Sequence, residues 1–171
     1  MMCHSLRLLT ASSFDYIVPF ARQQNDSKIQ ELAIIAINSW VEMGTLPVAL
    51  LAPTLSTAIE ILVLESTVFP TSKVFDQACE LITELFADGR LTSMERVPAP
   101  TLSVIANLNP LLDQSIAIDS CLALCKLLTS FGTTFVAFLI DTESAETEIY
   151  FSMLFKCLMA APLNEAYIQS L

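Results

Sequence analysis

Few residues of this 171-residue chain have the type and spacing for covalent or metal chemistry. His4 is the only histidine, so any Ser–His or Cys–His nucleophile pair would have to use it. Cys121 and Cys125 lie one helical turn apart, which is a start for a metal site. No second cysteine pair accompanies them, and His4 is at the far end of the chain. Together with Cys3, Cys79 and Cys157 they make five thiols, mostly on apolar faces of helical patterns. An odd, unclustered set reads as small buried hydrophobes in a reducing compartment. No glycine-rich phosphate loop, HExxH helix or GxSxG turn is present. Acid pairs fall only on helix faces expected to be exposed, without the burial that would raise a pKa for general acid–base work. The expectation is a protein that is not an enzyme and needs no metal or cofactor.

Charge narrows the partners. Eight basic residues stand against 18 acidic ones, a formal net charge of −10. Nucleic-acid phosphates need clustered Lys and Arg, so no direct nucleic-acid binding is expected. A basic protein partner suits such a surface, and so does plain solubility. The candidate contact residues are Glu60, Glu65, Asp113, Glu146 and Glu148, on or beside the second helices of the pairs described next. Charge-assisted contacts to a basic ligand and a merely solvated face both remain open for them. Glu146 and Glu148 also suit a helix start, where the dipole favours acids.

The elements that must position these residues are all helical. From Ile29 to Val41 the apolar residues Ile29, Leu32, Ala33, Ala36, Ile37, Trp40 and Val41 recur at i, i+3, i+4 spacing. That predicts one buried face, with Gln30, Glu31, Asn38, Ser39 and Glu42 mostly opposite. Asp26 or Ser27 caps the start, and Gly44 suits a left-handed helix end. Thr45 is then expected to cap a second helix with the stripe Leu46, Leu50, Leu51, Leu55, Ala58, Ile59 and Leu62, antiparallel to the first. With mean hydropathy at +0.61, a membrane span over Leu46 to Leu64 must be weighed. Pro47, Pro53 and Glu60, with Ser56 and Thr57 on a polar side, favour a buried helix of a soluble fold, so no membrane insertion is expected. Trp40 on the apolar stripe reads as core. Met1 to Ser13 is too weakly apolar for a secretory signal.

Ser72 opens a third helix striped by Val74, Phe75, Ala78, Leu81, Ile82, Leu85 and Phe86 and closed by Gly89. Lys73, Asp76, Gln77, Glu80, Thr83 and Glu84 are expected in water. A polar connection follows to Pro100. The next helix, with Leu102, Ile105, Leu108 and Leu112, must kink near Asn107 to Asn109 because Pro110 removes a backbone hydrogen bond. A helix from Asp119 to Ile140 carries Leu122, Cys125, Leu128, Phe135 and Leu139, with Gly132 weakening its middle. The last carries Ile149, Tyr150, Met153, Leu154, Cys157 and Leu158 and stops at Pro162. Before residue 26, Leu6, Leu9, Phe14, Ile17, Val18 and Phe20 form a weaker pattern interrupted by Pro19.

First helices open near Ser27, Ser72 and Ile116 to Asp119, a period of about 45 residues that lies in the HEAT and armadillo range. The predicted fold is all-α: an α-solenoid of about three HEAT-type helix pairs, over 27–71, 72–115 and 116–161. Residues 1–26 are a partial preceding repeat and 162–171 the start of a further one. A closed helical bundle is the alternative. Ile34 and Ile35, off the main stripe, suit packing against neighbouring repeats.

Ser39, Trp40, Val41 and Gly44, then Phe75, Ala78, Ile82 and Leu85, resemble a run in the central arch of β-karyopherins, in the transportin-SR and importin-thirteen branch. Asp119, Cys125, Lys126, Leu127, Thr129 and Phe135 are similar to a later helix of that branch. The resemblance covers roughly Ser27 to Ala161 and is a helix-packing signature. It implies a segment of a nuclear transport receptor shuttling between nucleus and cytoplasm, wrapping basic or Arg-Ser-rich protein cargo under control of Ran bound to GTP. Nucleoporins are further implied partners. The family's Ran contact lies mainly in amino-terminal repeats, which this chain does not span. A HEAT scaffold in an unrelated complex is the other function expected of such a fold.

Overall fold

The computed structural model describes residues 13–22, 26–68, 72–92, 97–113 and 118–160. Among them there is no strand. Residues 13–21 form α1. Among the described residues nine further helices follow: α2 (Ser27–Glu42), α3 (Val48–Val68), α4 (Lys73–Ala87), α5 (Gly89–Thr92), α6 (Pro98–Asn107), α7 (Asn109–Leu112), α8 (Ile118–Thr134), α9 (Val136–Asp141) and α10 (Ala145–Ala160). The chain is all-α in these residues.

Local chemistry accounts for most boundaries. Asp26 Oδ1 accepts from the Lys28 and Ile29 amides at 3.1 Å, capping α2. Gly44 takes φ +61°, the left-handed conformation a helix end favours. Thr45 does not cap the next helix. Its amide and hydroxyl both donate back to the Trp40 carbonyl, closing α2 instead, and α3 begins three residues later. Ser72 Oγ accepts from the Phe75 amide and caps α4. That helix ends at Ala87, with Asp88 as its C-cap, and Gly89 opens the short α5 rather than stopping α4. Pro110 breaks the predicted kink into two helices, α6 and α7, meeting at Leu108. Pro19 lies inside α1 and does not interrupt it. The single helix expected over 119–140 is divided at Phe135, whose φ −116°, ψ 31° leaves the helical region.

The order of packing differs from the predicted hairpin. α2 and α3 scarcely touch; both pack on α4. α4 lies between α2 and α8, and α3 also packs on it. Ser130 and Thr134 on α8 donate to the carbonyls of Thr83 and Phe86, so α4 and α8 run in the same direction. α3 also meets α6, and α10 packs on α6, α7 and α8.

Sandwiching explains where the burial pattern departs from simple periodicity. On α4 every predicted stripe residue is buried, and Cys79 with them, because the helix has neighbours on two sides. Asp76, Gln77, Thr83 and Glu84, expected in water, are half-buried for the same reason. On α2 the buried face is rotated. Gln30 is 3% and Asn38 7% exposed, whereas Leu32 is 58% exposed and Ile29 and Ile35 also reach solvent. Ile34 and Ile37 on this face are fully buried.

α3 is long and apolar enough to cross a membrane, with mean hydropathy 1.7 over Val48–Thr67. Here Leu51, Leu55, Ala58, Ile61 and Leu62 are buried in the core, and Val48, Val63 and Leu64 are exposed. Thr54 and Thr57 are also buried, each bonding a carbonyl one turn back. Trp40, read as core, is partly buried and packs against the edge of the core. The centre is an aromatic group in which Phe86, Phe131, Phe135 and Tyr150 join α4, α8 and α10 at centroid distances of 5.1 to 5.7 Å. Each such edge or tilted pair contributes about 0.5–1.5 kcal/mol beyond its buried area. Leu6, Leu9 and Pro162 lie outside the described residues.

Candidate functional site: an acidic cleft at two helix ends

Carboxylates gather where α2 and α4 end. A cleft of about 460 Å³ is lined by Val41, Glu42, Gly44, Glu84, Asp88 and Arg90, among others. Two helix C-termini converge there, and each carries the negative end of its macrodipole. Acids in such a place are opposed by the dipole, and neither α2 nor α4 has a basic residue in its last turn. Nothing approaches within 4 Å of where a Gly44 Cβ would stand, so the left-handed turn keeps one wall open.

The side chains differ in how far they are already satisfied. Asp88 is held by Arg90, whose Nε lies 2.9 Å from Oδ1, while Nη1 donates 3.0 Å to the Leu46 carbonyl. This guanidinium holds the Asp88 carboxyl below its usual range, against the opposing effect of burial, and ties α5 to the turn before α3. Glu42 accepts a 3.2 Å bond from Asn38 Nδ2. Asn38 Oδ1 is buried without a partner. Glu84 is pushed up, first by burial and then by repulsion from Glu42 and Glu80. A cation arriving between Glu42 and Glu84 relieves that repulsion. Arg90 shows the kind of group the cleft accommodates: a planar guanidinium shared between a carboxylate and a backbone carbonyl.

The five carboxylates singled out by sequence are not brought together. Glu60 on α3 is exposed and lies 2.9 Å from Arg22. Glu65 Oε2 accepts from Ser72 Oγ at 2.6 Å, which fixes the link into α4. Asp113 pairs with Lys156 at 2.6 Å, and Lys156 also donates to Asn109, fastening α10 to α7. Glu146 and Glu148 occupy the first turn of α10, where the dipole favours them. Three of the five therefore join parts of the chain to one another. Glu42 and Glu84 were missed because periodicity assigned them to water. The signal for them was present: an acid in the last turn of each of two helices.

The described cysteines form no comparable site. Contact with Cys157 and then burial push the Cys125 thiol upward, and burial takes Cys121 up to about 11. Thiols in this state stay protonated and poorly nucleophilic. Among the described residues no three metal-ligating side chains are grouped to hold an ion. A different pair of polar groups meets between α4 and α8. Asp76, raised mainly by burial, faces Ser120, whose hydroxyl favours the carboxylate without reaching full hydrogen-bond geometry.

No family model, curated protein or solved structure matches this chain.

Proposed function

We infer that the chain is a HEAT-type α-solenoid segment of a nuclear transport receptor that holds basic, Arg-Ser-rich protein cargo. Ran bound to GTP would control release through repeats that this chain does not span, with shuttling between nucleus and cytoplasm. The observation that carries the reading is the acidic cleft, because it sits on the α2–α4 junction covered by the resemblance to β-karyopherins. Trp40, Val41 and Gly44 shape the end of α2, and Phe75, Ala78, Ile82 and Leu85 form the α4 face that packs within it. Glu42 and Glu84 then supply negative charge for an arginine of the cargo. Rows of helices whose first members begin about 45 residues apart support the solenoid.

Immunoprecipitation of the native protein from cell extract, with an antibody to the Thr92–Pro100 peptide, separates this reading from a scaffold role. Recovery of Ran with Arg-Ser-rich proteins supports transport. One stable complex containing neither overturns it in favour of a HEAT scaffold.

A further inference from the structure

α4 shows what an inner helix of this row looks like: it is buried on both sides, against α2 and α8. Among the described residues α2 is built the same way but covered on one side only. Its outer stripe of Ile29, Leu32 and Ile35 is exposed. At the other end of the row, α8, α9 and α10 frame an apolar groove of about 230 Å³ lined by Gly132, Val136, Ile140, Phe151 and Leu154. Ile140 is 74% exposed there, with Phe155 and Met159 continuing the apolar surface along α10. This groove between a row helix and the helix packed on it corresponds to the place of α4, which packs on both α2 and α3.

We propose that the outer face of α2 in one copy of this chain docks into the α8–α9/α10 groove of a second copy, head to tail. The contact continues the α2–α4–α8 row. Charge agrees with it. If the incoming α2 runs in the direction of α8, as α4 does, and its first residue stands level with that of α8, Lys28 meets Asp119 and Glu31 falls within about a turn of Lys126. Lys28, Asp119 and Lys126 are all exposed. Because the two faces differ, the contact is heterologous and leaves one free face at each end of an assembly. It is independent of any reading of cargo.

Light scattering coupled to gel filtration on the full chain, over rising concentration, tests this. The mass should climb from 18.8 kDa through successive multiples. Leu32→Glu and Ile140→Glu should each remain monomeric. Mixed in equal amounts they should form a 1:1 pair of twice 18.8 kDa and stop there, since each retains one intact face. Ile29→Lys with Val136→Lys provides a second pair, and unchanged circular dichroism verifies folding in whichever pair is used. A monomer at every concentration, assembly by either single variant, or a mixture that does not pair overturns the proposal.

Discussion

Replacing Gly132 by alanine should destabilise the protein, although an exposed helical glycine-to-alanine change normally adds about 0.5–1 kcal/mol of stability. An alanine Cβ at this position would overlap Tyr150 Oη and stand 3.4 Å from Cζ. The hydroxyl cannot simply swing away. Tyr150 is 1% exposed, its ring packs on Phe131 and Phe151, and its Oη donates 2.8 Å to the Leu128 carbonyl. Moving the ring breaks that buried bond, at about 1–3 kcal/mol. Overpacking adds about 1–3 kcal/mol. After subtracting the helix-propensity gain, the net loss is roughly 1–5 kcal/mol. Tyr150→Phe removes the clashing atom and leaves an ordinary 3.4 Å contact. In that background Gly132→Ala should be neutral or stabilising. Urea unfolding of the four proteins closes the cycle, with a coupling at least as large as that net loss expected. Additive effects would refute the close approach of α8 and α10 at Gly132.

Other consequences follow from the same structure. Burial holds the Tyr150 phenol at about 12, above its unfolded value, so its contribution is complete below about pH 10 and is lost as pH rises through the folded value. Alkaline denaturation should therefore be shallower in Tyr150→Phe. Arg90→Ala removes the guanidinium from the partly buried Asp88 and from the Leu46 carbonyl, and should cost about 2–3 kcal/mol in urea unfolding. Gly44→Ala should cost about 1–2 kcal/mol from backbone strain alone, whereas Gly89→Ala, with open space and no positive φ, should be neutral within about 0.5 kcal/mol. Asp76 has its folded pKa raised, mainly by burial, so its ionisation opposes folding as pH rises through that value. Asp76→Asn should thus stabilise at neutral pH, and the gain should shrink in acid.

The sequence made the elements plain wherever a capping residue and a full stripe coincide. Ser72, the seven stripe residues of α4 and the proline break before Pro110 were all legible. What it hid was which side of a helix has a neighbour. On α2 one stripe looked buried because Ile29 and Leu32 are apolar, yet the covered side includes Gln30 and Asn38. A helix with two apolar sides has no unique inward direction until its partners are known, and α2 packs on α4 rather than on the nearby α3. Gly132 looked like a weak point and is instead a clearance for Tyr150, a contact that spans 18 residues and leaves no local pattern. The acidic cleft depended on the same unknown, since only the side-by-side placing of α2 and α4 brings Glu42 to Glu84.

Titrating a fluorescent Arg-Ser peptide with the full chain, followed by anisotropy at about 50 and about 500 mM salt, tests the recognition of basic cargo most directly. The account predicts weaker binding at high salt, and weaker binding by Glu42→Gln and Glu84→Gln at low salt. Affinity unchanged by both salt and these substitutions, or no binding at low salt, would contradict it.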